Sequence, residues 1–183
     1  KARPKVRLAL RPVTTSSLQQ AAPSVLGLAP GKNRKLAQAL YAQGRITYMR
    51  TDSVNDSEQA RAAAKEFIVS ACGPEYYPEK PNFFKSKADA QGAHEAIRPT
   101  YISHEEIEGS AQEKRLYELI RKRAIACQMA DAELERTSIS VSVSGSTDNF
   151  VATGDVVVFD GFLQVYHESL DEENEKESEN GLL

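Results

Sequence analysis

The apolar positions follow two grammars, helical over most of the chain and alternating towards its end. Ala60, Ala63, Ala64, Phe67, Ile68 and Ala71 recur at i, i+3, i+4, i+7, i+8 and i+11, the 3.6-residue period of a helix with one buried face. Ser57 precedes this run as an N-cap and Gly73-Pro74 stops it. A second helix is predicted over residues 112–129, with Leu116, Leu119, Ile120, Ala124 and Cys127 as its apolar stripe. A third is predicted over 33–43, with Leu36, Ala39 and Leu40 inward and Gly44 closing its end. A short one starts at Thr14, Thr15 or Ser16 and runs through Leu18 and Ala22. Residues 45–49 read as a short β-like segment.

After Ala130 the period changes. Residues 136–144 alternate, with Ile139, Val141 and Val143 on one face, as a half-buried strand does. A turn at 145–149 separates this strand from further short strands at 150–153, 156–159 and 162–166. Residues 1–12 form an extended basic lead-in in which Pro4 and Pro12 disfavour helix; Val6, Leu8 and Leu10 alternate with Lys5, Arg7 and Arg11, which also fits an edge strand. Residues 74–103 carry Pro74, Pro78, Pro81 and Pro99 and read as a loop, and an irregular connection of that length is often functional. The expected fold class is α+β: a basic linker or edge strand at 1–12, a mainly helical domain at 13–131, a partial antiparallel β-sheet at 132–168 and an acidic flexible tail at 169–183.

Composition narrows the classes. The chain has 183 residues, 40% hydrophobic and 27% charged, which fits a globular protein and excludes a disordered one. No stretch approaches the ~20 apolar residues that span a bilayer, and no apolar segment follows the basic start, so the expected location is cytoplasmic. Cys72 and Cys127 stand alone without a CxxC pair, which disfavours a disulfide framework or a zinc site. His94, His104 and His167 lack ligand spacing, so no metal is expected within this chain. Neither a P-loop nor G-x-G-x-x-G occurs. The net charge of −3 argues against nucleic acid, yet it averages +5 over residues 1–12 with −6 over residues 168–183, so it does not decide the partner.

Two stretches carry chemistry. In Gly44-Arg45-Ile46-Thr47-Tyr48-Met49-Arg50-Thr51-Asp52-Ser53, Tyr48 and Arg50 are two apart and face one side of an extended segment. A tyrosine hydroxyl is a weak nucleophile unless activated, and a nearby guanidinium clamps a phosphate through paired N–H donors. That pairing suits attack on a phosphodiester, with Thr47, Thr51 and Ser53 as hydroxyl contacts to phosphate oxygens. Taken by itself, the spacing favours an ordinary half-buried tyrosine beside a solvated arginine. In Gln91-Gly92-Ala93-His94-Glu95-Ala96-Ile97-Arg98-Pro99, His94 can orient or protonate a phosphate oxygen. Upstream, Lys85 and Lys87 beside Phe83 and Phe84 supply charge and stacking surface for a nucleic-acid strand. Taken by itself, this second stretch is better read as an ordinary polar loop.

Together these stretches closely resemble the bacterial type IA DNA topoisomerases. The resemblance runs through Thr14-Thr15-Ser16-Ser17-Leu18-Gln19-Gln20, Ala37-Gln38-Ala39-Leu40-Tyr41, Ile46-Thr47-Tyr48-Met49-Arg50-Thr51-Asp52-Ser53 and Ala93-His94-Glu95-Ala96-Ile97-Arg98-Pro99, and continues through Cys127-Gln128-Met129 and Phe159-Asp160-Gly161. It covers roughly residues 12 to 168, leaving 1–11 without an obvious match. By resemblance, Tyr48 attacks one DNA strand and forms a 5′-phosphotyrosine link, Arg50 positions the scissile phosphate, His94 lies near that phosphate, and Gln38 lies near the cleavage site. Thr51, Ser53, Lys85, Lys87 and Arg98 join Arg50 and Gln38 as expected DNA contacts. The link keeps the phosphodiester energy, so the strand reseals without ATP.

The resemblance also implies a fold and a context. The tyrosine-bearing domain is related to helix-turn-helix folds and lifts away as a gate, and the sheet is part of a β-rich arch. Magnesium serves the full-length enzyme from a Toprim domain outside this chain, whose partners are then single-stranded DNA at the cleavage site and the remaining domains of the same polypeptide. A chain without that domain is expected to be inactive alone. Two positions depart from the family pattern: Ala42 and Gly92 stand where related sequences often carry Glu. The alternative to an enzyme fragment is a non-catalytic, helix-turn-helix-like DNA-binding module.

Overall fold

A computed structural model describes residues 2–84, 94–142, 144–145 and 149–166. Lys85, Lys87 and Gly92, and the acidic stretch from 169 onward, lie outside the described residues.

Among the described residues, four α-helices and one antiparallel sheet form the fold. Strand β1 (Ala2–Arg7) leads into α1 (Thr15–Leu26), α2 (Pro30–Ala42), α3 (Glu58–Ala71) and α4 (Ala111–Ala126), followed by β2 (Ala132–Ser142) and β3 (Asn149–Phe159). Thr14 and Ser57 are N-caps that the sequence predicts; the Ser110 cap of α4 and the start of α2 at Pro30, rather than residue 33, are not. Thr14 caps α1 through a reciprocal pair with Ser17, Ser57 caps α3, and Ser110 caps α4 with Glu113 closing a capping box. The backbone N–H and hydroxyl of Ser110 donate to the Glu113 carboxylate and hold it below the usual glutamate range. Helix α1 continues past Pro23 to Leu26 and ends at Gly27 in the left-handed region (φ 63°). Helix α4 ends at Ala126, and residues 127–129 close as a turn in which Met129 N–H donates to Ala126 O (3.2 Å).

The sheet differs from expectation. Its order is β1-β2-β3, antiparallel throughout, so the basic lead-in is an edge strand paired with β2 from Ala2↔Thr137 to Arg7↔Ala132. The two short strands expected at 150–153 and 156–159 are one strand, β3, because Gly154 and Asp155 stay in register opposite Thr137 and Arg136. Asp155 is accommodated in mid-strand by cations from both other strands. Arg136 Nε donates to its Oδ1 (2.7 Å) and Lys5 Nζ to its Oδ2 (2.7 Å). The Arg136 hydrogen bond, reinforced by Lys5, holds the Asp155 carboxyl well below the usual carboxylate range. Residues 162–166 are not a strand. Gly161–Gln164 form a 3₁₀ turn that drives Phe162, Leu163 and Tyr166 into the core.

The core lies under the helices, built on Leu18, Leu40, Ile46, Ile68, Ile97, Leu116, Ile120, Ile125 and Met129, with Phe162 joining it from the sheet side. By contrast Ile139, Val141, Phe150, Val151, Val156 and Val158 on the sheet are exposed. Among the described residues the sheet is therefore anchored at its base. There Phe162 N–H donates to Ala130 O (3.0 Å), Ala9 N–H to Asp131 Oδ1 (2.6 Å) and Tyr76 Oη to Asp160 Oδ1 (2.9 Å).

Within the long 74–103 connection, order comes from pairing with distant segments. Ile97 bridges Val13 and Pro99 bridges Ile46, both antiparallel. No helix of the described residues is long and apolar enough to cross a membrane.

Candidate active site around Tyr48

Helix α2 delivers the chain to the site. It ends at Ala42, and Gly44 (φ 68°) takes the left-handed turn that reverses direction, with Arg45 N–H bonding back to Leu40 O (2.9 Å). The next residues pair with the His94–Thr100 segment. Thr47 N–H donates to Arg98 O (2.9 Å), Thr100 N–H to Arg45 O (3.0 Å), and Thr47 Oγ1 donates to Ala96 O (2.7 Å) while accepting from Arg98 N–H (3.0 Å). On its other side that segment is fixed by Ile97 N–H to Val13 O (2.8 Å) and Ala96 N–H to Asn55 O (2.8 Å). Three separate stretches thus hold the segment that carries His94.

The pairing brings Tyr48 and His94 face to face. Their rings stack with centroids 5.8 Å apart and planes 29° apart, while Tyr41 meets Tyr48 edge-on at 5.4 Å and 70°. Tyr48 and Tyr41 are 39% and 40% exposed, so the row of three rings is open to a ligand. The sequence missed Tyr41 as a site residue; the signal was its position one helical turn after the exposed Gln38 on α2.

Tyr48 and Arg50 are both exposed and Met49 between them is buried, the alternation an extended segment gives. Thr15 holds the backbone on either side of Arg50. Its hydroxyl donates to Met49 O (2.9 Å) and accepts from Thr51 N–H (2.9 Å), while Thr15 N–H donates to Thr51 O (2.9 Å).

Other expected residues lie elsewhere. Thr51 and Ser53 are buried, and their hydroxyls accept from Ser53 N–H (3.0 Å) and Asn55 N–H (3.2 Å) inside the loop; they shape the loop rather than line its surface. Arg98 is half-buried in an ion pair with Glu95, its Nε donating to Oε2 at 2.8 Å. It faces a second cavity of about 610 Å³ that runs along α3 and past Asp56 and Gln128. There burial pushes the Asp56 carboxyl up, against the hydrogen bond donated by Gln128 Nε2 (3.1 Å). Among the described residues no three His, Cys, Asp or Glu side chains converge to hold a metal ion.

Comparison with known proteins places the chain in a family. A family model described as DNA topoisomerase matches residues 1–181, so the match takes in both β1 and the acidic end. The DNA topoisomerase 1 of Zymomonas mobilis is 47% identical over 172 residues, covering 93% of this chain and 14% of that protein. The DNA topoisomerase 1 of Haemophilus influenzae is 45% identical over 157 residues, covering 84% of this chain and 18% of that protein. The full-length topoisomerase I of Thermotoga maritima superposes with a TM-score of 0.77 at 33% identity, covering 92% of this chain and 29% of that one. The chain thus spans less than a third of the length of each of these relatives, and it belongs to the DNA topoisomerase family.

Proposed function

We propose that this chain is the strand-cleaving segment of a bacterial type IA DNA topoisomerase, with Tyr48 as the nucleophile. The observation that carries the reading is the exposed Tyr48 ring stacked on His94, with Arg50 two residues on. The Tyr48 hydroxyl oxygen bonds to phosphorus as the bond from phosphorus to the 3′ oxygen breaks. The tyrosine gives up its proton and the departing 3′ oxygen takes one up. One ester replaces another, so the reverse step reseals the strand without a further energy source. The Arg50 guanidinium binds the phosphate oxygens, and His94 orients the phosphate or supplies the proton. Gln38 contacts the strand beside the site.

In this reading the helical part is the gate, related to helix-turn-helix folds, and the sheet is part of the arch. Its exposed valines and Phe150 are then covered by the remaining domains of the polypeptide. Magnesium acts from those domains. The chain alone binds DNA without relaxing supercoils, and relaxation by the isolated 183 residues contradicts this. In the full-length protein, Tyr48→Phe leaves oligonucleotide binding within about twofold and abolishes covalent capture of a labelled strand. Capture that survives removes Tyr48 as nucleophile and favours a non-catalytic DNA-binding module.

A further inference from the structure

A cavity of about 370 Å³ opens beside Arg50, between the start of α1, the face of α2 and the Met49–Arg50 segment. Leu18, Ala37 and Met49 form its apolar floor; Gln19, Asn33, Arg34 and Arg50 give it polar walls. Pockets of that size with an apolar floor and a few convergent polar groups are typical of small-ligand sites.

Two features of the walls point to the ligand. Asn33 is 1% exposed; its Nδ2 donates to Leu18 O (3.0 Å), while its Oδ1 has no hydrogen-bond partner. A buried acceptor without a donor is costly, so its presence in a cavity wall asks for a ligand N–H. This oxygen is screened from water, so a ligand N–H meets it only when the amide turns towards the cavity. At the rim, Arg34 and Arg50 are exposed and neither has a hydrogen bond or ion pair among the described residues. Two unpaired guanidiniums bordering an apolar slot with one buried acceptor match a nucleotide: phosphate oxygens on the cations, the planar base on the floor, and an N–H of the base edge on Asn33.

The geometry points to this cavity as a base-binding subsite for a nucleotide of the DNA strand that flanks the scissile phosphate. The assignment rests on the reading of Arg50 as the scissile-phosphate ligand, which places the captured base within a nucleotide or two of the cut. Arg34 then holds the neighbouring phosphate. Every base offers an N–H on its edge, so the subsite grips the strand without selecting strongly among sequences.

The test measures binding alone, in the full-length protein carrying Tyr48→Phe, so a failure of the nucleophile assignment, seen as capture by that variant, leaves this readout intact. Oligonucleotides with a single abasic site are scanned across the cleavage position by fluorescence anisotropy. One position next to the scissile phosphate is expected to weaken binding roughly tenfold, the scale of losing one base contact. Ala37→Leu, which fills the floor, is expected to erase the difference between intact and abasic strands at that position. Arg34→Gln, at an exposed site, is expected to lower the slope of log Kd against log salt by about one. An abasic penalty of the same size in folded Ala37→Leu protein overturns the subsite, as does an unchanged salt slope in Arg34→Gln. A free deoxynucleoside monophosphate that binds more tightly than the oligonucleotide overturns the assignment to a strand.

Discussion

The imidazole of His94 lies across the face of the Tyr48 phenol, 5.8 Å between centroids, with Tyr41 against another side of the same phenol. A stacked imidazole does two separable things. Under the proposed function, it fixes the ring that carries the nucleophile and brings ring nitrogens towards the phosphate. His94→Phe keeps the stacking surface and removes the nitrogens, whereas His94→Ala removes both. In the full-length protein, both variants are expected to slow covalent capture about 100-fold with little change in Kd. His94→Phe at wild-type rate would show that the imidazole serves only as packing.

Thr47 joins the two stretches that carry the site. Replacing it with Val keeps the shape and strands the Arg98 N–H that its Oγ1 accepts at 3.0 Å, along with the Ala96 carbonyl it donates to at 2.7 Å. Urea unfolding of Thr47→Val is expected to show a loss of about 1–3 kcal/mol. Covalent capture should fall as well, because His94 follows Ala96 and Arg98 out of place.

Gly161 is the close approach at the base of the sheet. Its φ is +52°, and a Cβ there would lie 2.4 Å from the backbone oxygen of Asp131. Gly161→Ala meets both the left-handed penalty and a backbone clash, and is expected to cost about 3 kcal/mol or more. Thermal melts read the loss. Phe162 should become accessible in the same variant, since its place in the core depends on that turn.

Asp56 gives a pH dependence of definite sign. Burial raises its carboxyl above the ordinary 3.8, so the folded state holds the proton more tightly than the unfolded chain does. Its contribution is most favourable below about 3.8 and declines as pH rises through the raised folded value. Asp56→Asn keeps an acceptor for Gln128 and removes the titration. Unfolding free energies measured from pH 4 to 7 are expected to fall less with rising pH in the variant than in the parent. Equal slopes in the two proteins would remove Asp56 as the source.

The helices were legible because period, cap and stop agreed, as in Ser57, the alanine-rich face of α3 and Gly73-Pro74. The sheet was less so. Gly154-Asp155 reads locally as a break, and only Lys5 and Arg136, from strands far away in the chain, make an aspartate acceptable there. Phe162–Tyr166 looks like strand because it is aromatic and apolar; the left-handed turn at Gly161 sets it as a 3₁₀ turn instead. At the site, spacing gave the shared exposure of Tyr48 and Arg50. It did not give the stacking of His94 on Tyr48, which depends on pairing between Thr47 and Arg98. Nor did it show that Thr51 and Ser53 turn inward, because hydroxyls serve loops and phosphates equally well.

The Thr15 side chain ties the carbonyl before Arg50 and the amide after it to the opening turn of α1. Arg50 therefore stands on a fixed pivot: its long arm can sweep while its root cannot wander. If the proposed function holds, a rigid swing of that first turn would carry the cation along, and withdrawing the helix and releasing the phosphate would be a single stroke.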